Sequence, residues 1–392
     1  MKILVLGPHP FFQERGTPIA LRLLLESLAE QGHMLVALVF AEGKPINIEN
    51  CSIIRTARVP LMGPVRPGFS VKKVLYDLLL FCKAWSLLRQ GSFDVIHAGE
   101  EAVFLAWLLE KWFRKPYVYD MDSALPQQIV EKYPRLRWSA PILERIERNA
   151  IANSAGVLPV CRALATRIRG TGFSGPVQVL EDISLLEKQT IISSPFQNDL
   201  PSAGVMTTIM YVGNLESYQG IDLLLESFAT ARKTVDTIRL VVIGGSDADI
   251  RDYASIADEM GLSSDVLFLG SRPAEHLGHY LSQADVLVSP RIKGVNTPMK
   301  IYSYLDSGQP VLATRLPTHT QVLDKEIAML ADPECQSFAE ALVTLASDPD
   351  LRKRLGKAAK KRVAEQYSIE AYKEKLANFY ASLPITTNPK RA

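Results

Sequence analysis

Short apolar runs alternate with longer stretches of helical period along nearly the whole chain. KILVLG, MLVALVF, DVIHAG, YVYDMD, GVLPVC and VQVLED in the first half each read as a strand buried on both faces, because their apolar positions are continuous. Between most of them lie segments such as IALRLLLESLAEQG and AVFLAWLLEKWF, with apolar residues recurring every three or four positions. Residues 183–205 break the rhythm: they are polar, contain Pro195 and Pro201, and read as a linker. The alternation restarts with TIMYVG, a helix over 220–235, RLVVIGG, a helix over 247–260 and VLFLG. A helix over 273–283, ADVLVSP, a helix over 298–307, PVLAT and IAMLAD follow. Residues 336–380 read as helical and 384–392 as a frayed tail. The pattern predicts an α/β protein of two doubly wound, Rossmann-like domains facing across a cleft, with ligands beyond the carboxyl ends of the strands. The expected boundaries are 1–190, a linker at 191–205, a second domain at 206–367, and a terminal helix and tail at 368–392.

Composition narrows the class. A chain of 392 residues, 47% hydrophobic, exceeds one ordinary core and suits two domains. Cys51, Cys82, Cys161 and Cys335 lack metal-ligand spacing and are too sparse for a disulfide framework, so a reducing cytoplasm is expected. MKILVLGPHP reads as a first strand rather than a signal peptide, and no apolar run approaches the ~18–20 residues of a membrane span. The net charge of +2 hides an asymmetry: residues 1–190 carry 23 basic against 18 acidic residues, and 55–89 carry seven basic residues against Asp77 alone. Two readings of that segment stay open. One is a solvated face; the other is attraction to anionic headgroups or a phosphorylated acceptor, with peripheral attachment to the inner face of the membrane. The stretch 69–91 is likewise either an amphipathic surface helix or a core helix of its domain. Nucleic acid is not expected as a partner, since the chain is nearly neutral and carries no nucleic-acid motif.

Three strand-to-helix loops carry candidate chemistry. In GPHPFFQERGTP, Gly16 permits close approach, Thr17 is a suitable N-cap and Pro18 a suitable first helical residue, so the segment is either a plain strand-to-helix turn or one whose helix N–H groups await an anion. In RIKGVNTPMKIYSYLDSG, Asn296 or Thr297 can cap and Pro298 can open the helix, while Arg291, Lys293 and Lys300 crowd its start. Cations there oppose the helix dipole by roughly 0.3–1 kcal/mol each at an exposed site, which makes sense if an anion shares the place. The third loop, Gly213 to Gly220, joins another strand end to a helix and includes Asn214 and Gln219.

Together these segments resemble glycosyltransferase family 4, retaining enzymes of the GT-B fold. The likeness covers nearly the whole chain. It is carried by Gly16-Thr17-Pro18, LAEQGHMLVALV, DVIHAGEEA and YDMDSALPQQ, then by YVGNLESYQGIDLLLESF, LVVIGG, VLFLG, LSQADVLVSPR and NTPMKIYSYLDSGQPVLAT. The resemblance implies an N-terminal acceptor domain, a C-terminal nucleotide-sugar domain and a last helix that crosses back to the first. It also implies catalysis without a cofactor or metal. The chain departs from the family at the usual Arg and Lys of the VG turn (Asn214 and Gln219), at the two glutamates separated by seven residues (Val295 and Ser303), and at the usual first-domain His (Asp122).

On this reading a sugar moves from a UDP- or GDP-linked donor to a hydroxyl of a carbohydrate or lipid-linked acceptor. Arg291 and Lys300 stabilise the departing diphosphate. Asp122 orients the acceptor or steadies the cationic sugar, unless it merely caps a turn. Gly16, Thr17, Gly213, Asn214, Gln219, Lys293, Asn296, Thr297, Ser303 and Asp306 are the expected donor contacts, with Asp306 on the ribose. His97, Glu100 and Glu101 are the candidate acceptor contacts; His9 lies in the first loop. A nucleotide-sugar epimerase and a decayed nucleotide-binding scaffold are the alternatives.

Overall fold

The computed structural model describes residues 1–13, 16–59, 71–186 and 206–385. The expected linker at 191–205, Arg66 and most of the expected frayed tail lie outside these residues. The chain divides into two compact units, Met1–Glu181 with the residues from Tyr372 on, and Asp182–Ala371.

The first unit holds β1 (Lys2–Pro10), β2 (Met34–Phe40), β3 (Cys51–Arg55), β4 (Val95–Gly99), β5 (Tyr117–Met121) and β6 (Gly156–Pro159). All pair in parallel, in the order β3-β2-β1-β4-β5-β6, with Ile3 opposite both Leu35 and Val95. Ile3 to Leu6 are wholly buried, as a central parallel strand requires. The second unit holds β7 (Thr207–Val212), β8 (Ile238–Ile243), β9 (Val266–Gly270), β10 (Val286–Ser289), β11 (Val311–Thr314) and β12 (Met329–Ala331). Their order, β12-β11-β10-β7-β8-β9, is the same doubly wound arrangement read from its other end. In each unit the strand order reverses beside the first strand, between β1 and β4 and between β7 and β10. The crevice beyond those carboxyl ends is where such a sheet binds ligands.

Several sequence expectations change. VQVLED is not a strand: Val177 makes a single bridge to Val157 beside β6. The sixth strand is CSIIR, a half-buried edge strand whose Ser52 and Arg55 interrupt the apolar run. The helix expected over 298–307 is Lys300–Asp306, with helical Met299 at its cap position, so neither Asn296 nor Thr297 caps it. Ile301 and Tyr302 donate to carbonyls three residues back, at Pro298 and Met299, so the chain enters through a tight turn. The first long helix begins at Gly16, one residue before Thr17, whose hydroxyl reaches Glu100 Oε1 (3.4 Å) instead of capping.

The helix Val71–Gln90 packs Tyr76, Leu80, Ala84 and Leu88 into the first core at helical spacing, yet exposes Val74 and Leu78. The last helix, Ile369–Ser382, buries Tyr372, Leu376, Phe379 and Tyr380. Gly156 on β6 makes room for it: a Cβ there would stand 2.7 Å from Leu383 and 2.9 Å from Phe379.

Candidate functional site

In the second unit the loops after β7 and β10 interlock. Tyr211 donates its hydroxyl to Asn214 O (2.6 Å), and Gln219 Nε2 donates to Asn214 Oδ1 (3.0 Å). Gly220 closes the loop at φ +74°, where a Cβ would stand 2.1 Å from Pro290 O, so only glycine fits. Ile292 N–H donates to Tyr218 O (3.0 Å), tying the second loop to the first.

Arg291 and Lys300 differ in what they do. The Arg291 guanidinium folds into its own loop: it donates to Lys293 O (2.7 Å) and Asn296 O (3.2 Å), with Tyr218 5.1 Å away for a cation–π contact. Thr318 Oγ1 also donates to Asn296 O, and Thr314 Oγ1 to Arg291 O. Arg291 therefore shapes the loop. Lys300 is the opposite case. Its Nζ is buried, lies 3.8 Å from the Tyr211 ring centroid, and has no hydrogen-bond partner among the described residues. Burial, then the Arg291 charge, push its pKa well below the usual lysine value. A Cβ on Gly213 would stand 2.9 Å from that nitrogen. The glycine thus leaves a space beside a lysine nitrogen without a hydrogen-bond partner among the described residues, at the β7–β10 switch point. The buried hydroxyl of Thr297 and the Gln219 Oε1 atom also lack hydrogen-bond partners among the described residues.

Lys293 is exposed, and Asp306 is half-buried on the helix. The donor contact expected of Ser303 gives way to a structural one: the residue is fully buried and accepts the Leu185 N–H (3.0 Å).

In the first unit His9, Thr17, His97, Glu100, Asp120 and Asp122 line a cavity of about 20 Å³ at the ends of β1, β4 and β5. Glu100 sits at φ +47°, a left-handed conformation costly for a residue with a Cβ, and its N–H donates to Asp120 O. His97 is 1% exposed, held between Tyr380 and Asp120. Glu101 turns to Lys73 (2.5 Å). Burial and the Glu100 charge raise its carboxyl to about 8. Burial raises Asp77, beside the same lysine, to about 7. The helix over Leu125–Lys132 starts behind Ala124, whose side chain cannot cap it.

Tyr211, Tyr218, Lys73, Asp120 and Tyr380 were not foreseen as site residues. Tyr211 had a signal, its place two residues before the glycine that ends β7. Tyr380 had none, standing 283 residues from His97.

A family model described as "Glycosyl transferase 4-like domain" matches residues 15–181, and one described as "Glycosyl transferases group 1" matches 196–362. D-inositol 3-phosphate glycosyltransferase from Corynebacterium urealyticum is 31% identical over 184 residues, 45% of this chain. That alignment spans 43% of the relative, less than half its length. Phosphatidyl-myo-inositol mannosyltransferase from Mycobacterium leprae is 26% identical over 299 residues, 74% of each chain. Among solved structures, sucrose-phosphate synthase from Thermosynechococcus elongatus superposes with a TM-score of 0.78 at 21% identity, over 97% of this chain and 98% of that one. Anabaena HepE in complex with UDP-glucose gives 0.73 at 16% identity, over 98% and 100%. Nothing in these matches supports an epimerase. Since the two models together take in most of the sequence, one on each sheet of the shared fold, the chain belongs to glycosyltransferase family 4 and has the GT-B fold.

Proposed function

We propose that this chain transfers a sugar from a nucleotide-diphosphate donor to an acceptor hydroxyl, with retention and without a metal. The observation that carries the reading is the buried, unpaired Lys300 ammonium beside Gly213. When the bond between the anomeric carbon and the β-phosphate oxygen breaks, negative charge gathers on the diphosphate. A preorganised cation in a desolvated place stabilises that charge strongly. Arg291 holds the loop in shape; Lys293, Asn214, Gln219, Asn296 and Thr297 contribute at its rim, and Asp306 takes the ribose. Gly16 and Thr17 at the start of the first helix are further donor contacts; a Cβ on Gly16 would meet nothing within 4 Å among the described residues. The acceptor binds at the first-unit cavity, where Asp122, Glu100 and Asp120 accept from its hydroxyls, and its proton leaves on the departing phosphate.

The relatives named for inositol phosphate and phosphatidylinositol support a polyol or lipid-linked acceptor. The HepE complex with UDP-glucose supports a UDP-sugar donor. An anionic membrane surface belongs to the same reading. No helix among the described residues is long and apolar enough to cross a membrane. Val74, Leu78, Leu108 and Trp112 are nevertheless exposed on two neighbouring helices, with Lys83, Arg89, Lys111 and Arg114 also exposed on those helices or at their ends. Of the basic segment, Lys72 and Lys73 are paired with Glu42 and Glu101, and Arg55 donates to two carbonyls. The attraction therefore rests on the other basic residues.

The experiment is nucleotide release from UDP-glucose and GDP-mannose, with and without inositol 3-phosphate or phosphatidylinositol vesicles. Acceptor-dependent release by the wild type, lost in Lys300→Ala by about two orders of magnitude, is the expected result. Equal release by both proteins removes the assignment.

A further inference from the structure

Across the first unit runs a chain of three side chains from three distant parts of the sequence. Tyr380 on the last helix meets His97 Nδ1 at 2.8 Å, and His97 Nε2 meets Asp120 Oδ2 at 3.2 Å. The tyrosine and histidine rings lie 12° from parallel, and His97 is almost wholly buried. Asp120 lines the cavity with His9, Thr17, Glu100 and Asp122. Its Oδ1 has no hydrogen-bond partner among the described residues, whereas Oδ2 is engaged by His97.

The proton positions follow from chemistry. A carboxylate only accepts, so Nε2 carries the hydrogen toward Asp120. In the neutral form of the ring Nδ1 is then an acceptor, and the hydrogen between it and Tyr380 belongs to the phenol. Burial holds that phenol protonated, its pKa raised well above the ordinary value. In that form each link has one donor and one acceptor, and the direction runs from Tyr380 to the cavity.

We infer that Tyr380 is a positioning residue: by donating to His97 Nδ1 it fixes the Nε2–H form of the ring, which holds Asp120 with its second oxygen available to an acceptor hydroxyl in the cavity. The last helix thereby sets the orientation of a carboxylate that it does not touch. The histidine, with both ring nitrogens engaged, relays an orientation, as outer partners of ligating groups do elsewhere. The acceptor part of this rests on the function proposed above; the tautomer does not.

The test separates the two. Nitrogen-15 spectra of histidine-labelled full chain distinguish ring nitrogens that carry hydrogen from those that do not, and His97→Gln identifies the signals. Wild type should show a single Nε2–H form at His97, and Tyr380→Phe should shift it toward a mixture. The variant keeps the ring and its packing. It should bind UDP as wild type does, while kcat/KM for inositol 3-phosphate, or whichever acceptor turns over, falls about five- to tenfold. In a His97→Gln background, where the amide can donate to Asp120 unaided, adding Tyr380→Phe should give no further loss. A wild-type Nδ1–H or doubly protonated ring overturns the inference. So do unchanged His97 signals in Tyr380→Phe, with or without a lower melting temperature. If the wild type moves no sugar to any acceptor, the transferase reading fails, and the nitrogen signals still decide the relay.

Discussion

Replacing Lys300 by Met removes the ammonium and keeps an unbranched stem of similar length, and its two consequences should have opposite signs. The buried nitrogen has no hydrogen-bond partner among the described residues. Such a group costs about 1–3 kcal/mol, and more when charged, while a face-on aromatic ring returns part of it, roughly 0.5–2 kcal/mol. Lys300→Met should therefore be more stable than wild type by about 1 kcal/mol, which is about 2–4 °C for a unit of this size. UDP binding should weaken about a hundredfold. At a UDP concentration of about 100 times the wild-type Kd, ligand stabilises wild type by about 2.7 kcal/mol and the variant by only about 0.4 kcal/mol. Thermal melts with and without UDP read both effects. The sign with pH follows from the lowered pKa: between the folded value and the unfolded value near ~10.4, the unfolded chain binds more protons, so unliganded stability rises with pH and carries its full penalty below that window. An anion that pairs with Lys300 raises its pKa again and takes up a proton, so UDP should bind more weakly as pH climbs through the same window. A variant less stable than wild type, with an undiminished UDP shift, would refute the reasoning.

Four further outcomes are expected. Arg291→Ala should lose transfer by about two orders of magnitude, and Arg291→Lys should not restore it, because one ammonium cannot hold both loop carbonyls; steady-state rates check this. Gly220→Ala should cost well over 1 kcal/mol in a denaturant melt and abolish UDP binding, since its Cβ collides with Pro290 O. Asp77→Asn should raise the melting temperature at pH 8.5, by about 1–3 kcal/mol in stability, with the gain shrinking as pH falls below 7 and vanishing only below the unfolded carboxyl value near ~3.9. That carboxyl titrates near 7 and is buried as an anion only above it. Ser303→Ala should lower stability by about 1–3 kcal/mol, by leaving the Leu185 N–H without its partner, with UDP affinity unchanged by calorimetry.

The central strands were legible because a parallel strand covered on both faces is a continuous apolar run, as Ile3 to Leu6 and Val286 to Val288 are. The edge was not. CSIIR is short and half exposed, so its pattern is mixed, while VQVLED runs beside β6 with backbone bonds to Val157 and Pro159 and forms only a single bridge there. At the site, the crowd of cations at one helix start pointed to Lys300 from sequence alone. Spacing could not show that the Arg291 fork turns inward to its own carbonyls, or that Ser303 is sealed beneath Leu185. Those depend on χ angles and on segments brought together only by folding. The Tyr380–His97–Asp120 chain is the extreme case, since no local pattern links a tyrosine to a histidine on another element.

Because Arg291 ties its carbonyls together before any nucleotide arrives, the loop does not have to be organised during capture. Little ordering entropy is then lost on association, and recognition should be limited by encounter rather than by a slow closing step. Discrimination between donors would in that case be made in how long each nucleotide stays, and a swap of specificity would call for new side chains on a fixed frame rather than a new frame.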